Sequence, residues 1–357
     1  MAHALALAAR GLGQVWPNPA VGCVIVAEGR VVGRGWTQPG GRPHAETVAL
    51  AQAGEAARGA TAYVTLEPCA HQGRTPPCAD ALIASGVARL VVAHQDPDPR
   101  VNGAGLTRLR AAGIEVTEGV GADAAKRLQR GFLTRVRLSR PLVTLKLAGS
   151  FDGRIATATG ESRWITGPEA RRAVHALRAR HDAVLVGSGT ARADDPTLTV
   201  RGLGVARQPV RIVWSRRLDL PLEGALAAGA AEAPVWLCHG FDADPAARRA
   251  WADRGARLFE VATGAAGQID PAAALQALGA AGLTRVLCEG GGALAAALLS
   301  AGLVDELVGF TAGLALGAEG RPSLGALGID RLDEAPRFQL VETRPVGADV
   351  MHRWDRA

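Results

Sequence analysis

One histidine and two cysteines constrain this chain more than any other feature. His44 and Glu46 are followed at a distance by Cys69 and then by Cys78, and a proline precedes each cysteine. An imidazole and two thiolates suit Zn²⁺, and three protein ligands leave the fourth tetrahedral position open for water, as in catalytic sites. Glu46 lies two residues from the histidine, where it is placed to exchange protons with that water. The fold must therefore bring three separated segments to one point.

The order His-x-Glu, Pro-Cys, Cys is the signature of zinc deaminases, in which water activated by the metal replaces an amino group on a base. Eight residues separate Cys69 from Cys78, where most deaminases have two. Taken singly, each cysteine is better explained as a small buried side chain and His44 as a surface histidine. Together they predict a zinc site with ligands His44, Cys69 and Cys78, and with Glu46 as general acid and base.

Length and composition set the class of protein. With 357 residues the chain is long enough for two domains. No apolar run reaches the length of a membrane helix, and the N-terminus has no signal-peptide pattern. Five dispersed cysteines predict no disulfide framework and a cytoplasmic location. A net charge of +6 permits anionic ligands without requiring nucleic acid, so neither a membrane nor a nucleic-acid partner is expected.

Lysine is rare in this chain. Of forty basic residues only Lys126 and Lys146 are lysine, and Lys146 lies in the apolar segment 142–147. An ammonium retained there indicates a need for a compact, titratable cation rather than a guanidinium. The alternative is a lysine on an edge strand whose charged end reaches solvent.

The first half alternates strands and helices. Asn18 stands between two prolines, in a segment that the following proline holds extended; its amide reads the edge of a base or forms an Asx turn, and the sequence leaves both open. The apolar pattern predicts helices at 2–10, 44–57, 78–85, 103–112 and 121–136, and strands at 21–26, 31–36, 62–66, 88–93 and 114–118.

The insertion between the two cysteines carries His71 and Arg74. Because zinc ligands flank it on both sides, its side chains must project towards the substrate. The cationic Arg74 predicts that the substrate carries an anion as well as a base.

A domain boundary is predicted near 138–141, giving domains 1–138 and 139–357. A second α/β pattern follows it. This pattern predicts strands at 142–148, 182–187, 209–214, 234–238, 257–261, 284–288, 304–310 and within 336–354, and helices at 168–180, 245–254, 271–281 and 293–300.

Two turns in the second half have the composition of phosphate sites. Glycines 290–292 follow a strand and precede a helix, which is either a phosphate-binding turn or a purely structural one. Ser215, Arg216 and Arg217 end another strand, and such a group suits the 2′-phosphate of NADPH. Loops at 162–166 and 189–201 are rich in hydroxyls, carboxylates and arginines, which favours binding surface over core.

At this point the chain resembles one family, the bifunctional deaminase-reductases of riboflavin biosynthesis. The resemblance covers nearly the whole chain, and the long cysteine spacing is a feature of this family. The matching segments are 17–22, 44–46, 65–78, 145–154, 160–166, 193–201 and 289–291.

The resemblance implies a cytidine-deaminase-like three-layer α/β/α domain followed by a dihydrofolate-reductase-like α/β domain. It also implies Zn²⁺ and NADPH as cofactors. The first domain would deaminate 2,5-diamino-6-(5-phosphoribosylamino)pyrimidin-4-one, and the second would reduce the ribosyl group of the product to ribityl. For partners we expect this small molecule and further copies of the chain in a homo-oligomer.

Site residues follow from the resemblance position by position. Lys146 would be catalytic in the reductase. The substrate contacts would be Asn18, His71, Arg74, Ser162, Arg178, Leu198, Arg201 and Glu289. The NADPH contacts would be Ala148, Trp164, Thr190, Asp194, Ser215, Gly291, Gly292, Ala293, Leu294, Ala295, Ala296 and Ala297. The chain departs from the family pattern at Thr37, in place of a histidine, and at Trp214, in place of an aspartate.

Three other functions fit parts of the sequence. A deaminase of tRNA bases would suit the basic isoelectric point, but it has no use for the second predicted domain, residues 139–357. A single-activity enzyme with one silent half conflicts with the presence of both Glu46 and Lys146. A structural zinc module would need four ligands rather than three.

Overall fold

A computed structural model describes residues 1–72, 76–205, 207–264 and 267–357. Backbone contacts divide the chain into two compact units, Met1–Ser139 and Arg140–Ala357, and each is described by itself. Among the described residues, no helix combines the length and the apolar character needed to cross a bilayer.

The first unit is built on a five-stranded sheet. Its strands are β1 (Gly22–Ala27), β2 (Arg30–Trp36), β3 (Thr61–Val64), β4 (Arg89–Val92) and β5 (Glu115–Glu118). They lie in the order β2-β1-β3-β4-β5. Strand β1 is antiparallel to β2 and β3, whereas β3, β4 and β5 run parallel. The parallel strands are joined through helices, as crossover connections require.

Helices cover both faces of this sheet. They are α1 (Ala2–Ala8), α2 (Ala45–Ala53), α3 (Cys78–Ala84), α4 (Ala104–Ala111), α5 (Ala122–Leu128) and α6 (Arg130–Leu138). Short 3₁₀ turns lie at Ala9–Gly11, Pro39–Gly41 and Gly54–Ala57. Helix α1 packs on the face that carries Val24, while α2, α3, α4 and α6 share the larger core with Ile25 and Val64. This arrangement is the predicted three-layer architecture.

Two glycines in β2 set the position of helix α2. A Cβ atom on Gly33 would overlap the carbonyl oxygen of Ala49, and one on Gly35 would overlap that of Ala45. The helix backbone therefore lies directly on the strand. Ala45 stands between His44 and Glu46, so this close contact fixes the depth of both functional side chains.

The second unit is built on a nine-stranded sheet. Its strands are β6 (Leu142–Ser150), β8 (Ala183–Gly187), β9 (Val210–Trp214), β10 (Val235–His239), β11 (Arg257–Glu260), β12 (Arg285–Cys288), β13 (Glu306–Ala312), β15 (Phe338–Val346) and β16 (Asp349–Arg356); β7 (Arg154–Ala156) and β14 (Arg321–Pro322) form a separate pair. The order is β11-β10-β9-β8-β12-β6-β13-β16-β15. All pairs are parallel from β11 to β13, and the last two are antiparallel.

Six helices connect these strands in the described residues. They are α7 (Pro168–Ala179), α8 (Ser188–Asp194), α9 (Ala225–Ala228), α10 (Pro245–Asp253), α11 (Pro271–Ala280) and α12 (Gly292–Ser300). Prolines at the first position begin α7, α10 and α11, where a missing N–H costs nothing. Because β6, β8 and β12 are parallel neighbours, the loops after them meet at one edge of the sheet.

Most predicted elements are confirmed within two residues, and two predictions are wrong. The single helix at 121–136 is two helices, α5 and α6, which meet at the buried Gln129; its side chain donates a hydrogen bond to the Ala20 carbonyl. The loop predicted at 189–201 begins as helix α8. Lys146 lies on a central strand, which removes the edge-strand alternative. Elements β7, α9 and β14 were not predicted.

Candidate active sites

Three elements of the first unit bring the predicted zinc ligands together. His44 is the residue that precedes α2, and Cys78 is the first residue of α3. Cys69 follows the end of β3 and accepts a hydrogen bond from the Cys78 backbone N–H at 3.3 Å. The N-terminus of α3 thus faces the Cys69 sulfur, and its N–H group and dipole favour a thiolate there.

The spacing of the three side chains fits a tetrahedral metal. His44 Nδ1 lies 3.3 Å from Cys78 Sγ and 3.7 Å from Cys69 Sγ, and all three ligand atoms lie within 4.8 Å of one another. Zinc with ordinary Zn–S and Zn–N bonds holds neighbouring S and N ligands roughly 3.6 Å apart. The two N···S distances are close to this value.

The protonation of the two cysteines supports the same assignment. A hydrogen bond from Cys78 lowers the pKa of Cys69 to about 4, whereas that hydrogen bond and burial raise the pKa of the Cys78 thiol. The hydrogen bond with the Cys69 sulfur also raises the pKa of His44. These opposite shifts indicate that ionisation of one sulfur opposes ionisation of the other. A divalent ion would resolve this conflict, because thiolate is the form that binds metal.

Glu46 lies in the first turn of α2 and is 3% exposed. It is not one of the three clustered ligands. Burial raises the pKa of its carboxyl group to about 7. A carboxyl group of this kind accepts and returns protons near neutral pH, which is the property of a general acid and base.

A cavity of about 550 Å³ opens in front of the zinc ligands. Asn18 and His71 line it as predicted. The Asn18 amide donates to the Gly41 carbonyl at 2.9 Å, which orients the side chain. The ring Nδ1 of His71 is buried and has no hydrogen-bond partner in the described part of the chain. Arg74 lies outside the described residues.

Sequence reasoning missed one wall of this cavity. Asp96, Asp98 and Arg100 lie along it; burial raises the pKa of Asp96 to about 6, and the hydrogen bonds of Arg100 lower the pKa of Asp98. The available signal was Asp-Pro-Asp-Pro-Arg at 96–100, separated by three residues from the end of strand β4, where loop residues often form sites. Arg42 and Arg135 also line the cavity, which suits an anionic ligand.

Thr37 holds the segment that carries Asn18. It is 2% exposed, its hydroxyl donates to the Pro19 carbonyl at 3.0 Å, and it accepts from the Val21 N–H at 3.0 Å. We expect Thr37→Val to keep the shape of the side chain but to remove the hydrogen bonds to the Pro19 carbonyl and from the Val21 N–H. The loss should lower the free energy of unfolding by about 2 kcal/mol. The KM of the reaction in this cavity should rise. Urea denaturation and steady-state kinetics measure the two effects, and Thr37→Ser, which keeps the hydroxyl, should change neither by much.

A second cavity, of about 390 Å³, lies within the second unit. Its floor comes from the ends of β6 and β12 and its walls from α7, α8 and the loop at 162–166. The predicted residues that line it are Lys146, Ala148, Ser162, Trp164, Arg178, Thr190, Asp194, Leu198, Arg201, Glu289 and Gly291. The structure therefore brings together residues separated by more than a hundred positions in the chain.

A buried ion pair organises the floor of this cavity. Arg178 donates to both carboxylate oxygens of Glu289, at 2.6 and 2.9 Å, and to the Thr199 carbonyl at 2.9 Å. Burial opposes ionisation of Glu289, but the hydrogen bonds and charge of Arg178 lower its pKa. Burial lowers the pKa of Lys146, and the charge of Glu289 opposes this shift. The paired carboxylate of Glu289 thus favours the charged form of Lys146, against the effect of burial.

Thr190 and Gly291 join two of the predicted cofactor loops. The Gly291 N–H donates to the Thr190 hydroxyl at 2.9 Å. Trp164 is 68% exposed, and the Arg171 guanidinium lies 4.5 Å from its ring centre. An exposed indole at a cavity rim offers a flat apolar surface to an aromatic ligand.

Some predicted cofactor residues lie away from this cavity. Ser215 is 1% exposed, and its hydroxyl donates to Asp219 at 3.0 Å. Arg216, expected beside a phosphate, is paired with Asp242 at 2.7 Å, and Trp214 is buried. The remaining members lie in helix α12 and do not line the cavity: Gly292, Ala293, Leu294, Ala295, Ala296 and Ala297.

Comparison with known families matches both units. A family model described as the cytidine and deoxycytidylate deaminase zinc-binding region covers residues 1–94. A second, described as the RibD C-terminal domain, covers residues 141–352.

Relatives match along almost the full length. The riboflavin biosynthesis protein RibD of Escherichia coli strain K12 is 46% identical, over 98% of this chain and 96% of the relative. That of Aquifex aeolicus strain VF5 is 41% identical, with the same coverage. Among solved structures, Acinetobacter baumannii RibD (form 1) has a TM-score of 0.89 and 41% identity, over 99% of this chain and 97% of that one.

The bifunctional enzyme of Thermotoga maritima is also similar. Its structure is described as a diaminohydroxyphosphoribosylaminopyrimidine deaminase and 5-amino-6-(5-phosphoribosylamino)uracil reductase. The TM-score is 0.86 at 34% identity, over all of this chain and 97% of that one.

Proposed function

This chain belongs to the RibD family of bifunctional deaminase-reductases of riboflavin biosynthesis, and from that membership we propose which of its residues perform each reaction. The enzyme deaminates 2,5-diamino-6-(5-phosphoribosylamino)pyrimidin-4-one and reduces the ribosyl group of the product to ribityl, giving 5-amino-6-(5-phosphoribitylamino)uracil. Its cofactors are zinc and NADPH. The deaminase is assigned to residues 1–138 and the reductase to residues 139–357.

For the deamination, His44, Cys69 and Cys78 hold the zinc ion. The ion supplies an acidified water when bound. Glu46 would take a proton from this water and pass it to the amino group, which leaves as ammonia while the water oxygen stays on the ring carbon. Burial of the Glu46 carboxyl group supports this role, because it keeps a protonated form accessible near neutral pH.

The substrate of the deaminase lies in the cavity in front of the ligands. Asn18 and His71 come from separate segments of the chain, and both line this cavity. They contact the base and the sugar of the substrate. Arg74 contacts the phosphate. The buried Nδ1 of His71, which has no partner among the described residues, supports a ligand contact, since such an atom is costly unless a bound molecule satisfies it.

For the reduction, NADPH supplies the hydride that reaches C1′ of the sugar. As the bond between C1′ and the ring oxygen breaks, that oxygen must gain a proton to become a hydroxyl group. Lys146 donates it. Ser162, Arg178, Leu198, Arg201 and Glu289 bind the substrate. The predicted cofactor contacts that line the cavity bind NADPH: Ala148, Trp164, Thr190, Asp194 and Gly291.

One observation carries this assignment: the imidazole and two sulfurs lie within 4.8 Å of one another beside a buried carboxylate. The direct test is to incubate the zinc-loaded protein with the diaminopyrimidine ribotide and identify the products by mass. Without NADPH we expect only the deaminated ribosyl compound, and with NADPH the ribityl compound. Prior removal of zinc with a chelator should abolish both products from this starting material. Unchanged starting material with zinc present would contradict the assignment.

We also infer a cytoplasmic homo-oligomer. All five cysteines are free, which suits a reducing compartment. The edge strand β15 exposes Leu340 at 55% and Val341 at 44%. Exposed apolar side chains on an edge strand form a surface that a second copy would cover.

A further inference from the structure

The carboxylate of Glu67 is surrounded by backbone N–H groups. One oxygen accepts from Asp96 at 3.1 Å and from Gly103 at 2.9 Å. The other accepts from Gly105 at 2.9 Å and from Leu106 at 3.4 Å. Glu67 is 4% exposed and follows strand β3, two residues before the zinc ligand Cys69.

These four donors occupy all the hydrogen-bond acceptor sites of the Glu67 side chain. An ionised carboxylate offers about four lone-pair sites and no donor. Although Glu67 borders the deaminase cavity, it has nothing left to offer a substrate or a reacting proton. Its influence on the reaction must pass through the segment that it binds.

That segment runs from Asp96 to the first turn of α4. Three of the four donors, on Gly103, Gly105 and Leu106, are at the N-terminus of this helix, where backbone N–H groups lack partners and a negative charge is favourable. A Cβ atom on Gly105 would overlap the carbonyl oxygen of Pro68. The segment is therefore held against the residues that directly precede Cys69.

The same segment forms the cavity wall. Asp98 is 8% exposed and accepts from the Arg100 Nε at 2.9 Å and from its Nη2 at 2.5 Å. Its backbone N–H donates to the Asp96 carboxylate at 2.9 Å. These internal bonds fix the shape of the wall, whereas Glu67 fixes its distance from the metal ligands.

We infer that Glu67 is a positioning residue of the deaminase, which sets substrate affinity by holding the Asp98–Arg100 wall in register with the zinc site. The inference rests on the proposed deaminase site. It assigns Glu67 no part in proton transfer and no contact with substrate.

The test is Glu67→Gln, which keeps the volume and replaces one acceptor oxygen with an NH₂ group facing two N–H donors. We expect the KM for deamination to rise about tenfold or more, with kcat within a fewfold of wild type and one zinc per chain. Reduction of pre-deaminated substrate should be unchanged. A fall in kcat at constant KM would overturn the inference, as would loss of zinc.

A double-mutant cycle shows whether Glu67 acts through the wall. Arg100→Ala alone should raise KM. In the Glu67→Gln background the same change should have little further effect, because the wall is already displaced. If the KM increases of the two single variants multiply in the double variant, Glu67 does not act through Arg100 and the inference fails.

Asp182 provides a matched control in the second unit. Its carboxylate is 2% exposed and accepts from the Thr284 N–H and hydroxyl and from the Arg285 N–H. Asp182→Asn should lower stability without changing the KM for deamination. An equal KM increase in this variant would show that the effect of Glu67→Gln is general destabilisation.

A second variant decides the question if Glu67→Gln does not fold. The methyl group added in Gly105→Ala should push the first turn of α4 away from Pro68. The KM for deamination should then rise as it does in Glu67→Gln. A folded Gly105→Ala protein with wild-type KM would overturn the inference. Failure of the wild-type chain to deaminate the ribotide would instead refute the proposed site itself.

Discussion

Glu46→Gln is expected to lower the kcat of deamination by about a thousandfold while zinc stays bound. The variant keeps the size of the side chain and removes its ability to carry a proton. Because Glu46 is not among the clustered ligands, the imidazole and both sulfurs remain in place. Product formation from the diaminopyrimidine ribotide measures the effect, and elemental analysis measures the metal.

The second activity is the internal control for this variant. Lys146 and Glu289 lie in the other compact unit, so NADPH oxidation on pre-deaminated substrate should match wild type. Glu55→Gln is a matched surface control, since Glu55 is exposed and follows the same helix in the 3₁₀ turn Gly54–Ala57. It should leave both activities intact. If Glu46→Gln lost both activities together, or lost its zinc, the assignment of Glu46 as proton carrier would be wrong.

The zinc site could be predicted from the sequence because its chemistry is carried by residue type. A histidine with a glutamate two positions later, and two cysteines each preceded by proline, identify ligands and base without any knowledge of their positions in space. The same reasoning predicted most elements, since apolar periodicity reports which face of each element is buried. The two kinds of domain, in contrast, were implied by the resemblance to a known family.

Residues that act by holding other residues were not predictable in this way. Thr37 bonds to Pro19 and Val21, and Glu67 bonds to groups 29 to 39 positions away. Nothing in the local pattern distinguishes such a threonine or glutamate from a surface residue. Only the folded chain shows which backbone groups they satisfy.

The wrong predictions have the same origin. Helix α8 begins with Ser188, Gly189 and Thr190, which have low helix propensity, so its helical form depends on tertiary contacts. The sequence also left the edge-strand alternative for Lys146 open, because strand order is not visible in the sequence. Its neighbours β12 and β13 come from residues more than 130 positions later in the chain.

Lys146→Met is expected to lower the kcat of the reduction at least about a hundredfold and to leave deamination unchanged. Lys146 lies on the central strand β6 and borders the cavity with Glu289 and Arg178. Methionine has a similar length and no charge, so the variant removes the proton donor with little change in packing. NADPH oxidation with pre-deaminated substrate is the measurement.

The pH profile gives a second readout of the same role. Burial lowers the pKa of Lys146 from its ordinary value of 10.5, so the protonated donor is lost at a lower pH than for a free lysine. In the wild type, kcat should therefore fall on the alkaline side, with a midpoint below that value. In Lys146→Met this alkaline limb should disappear from the residual activity.

Lys126 is the only other lysine in the chain and serves as the matched control. It is exposed on helix α5 in the first unit, so Lys126→Met should keep both activities and the alkaline limb. A Lys146→Met enzyme that still reduces substrate at the wild-type rate would show that the ring oxygen obtains its proton elsewhere. Loss of deamination in the same variant would show instead that the two reactions share residues, because no residue of the zinc site was changed.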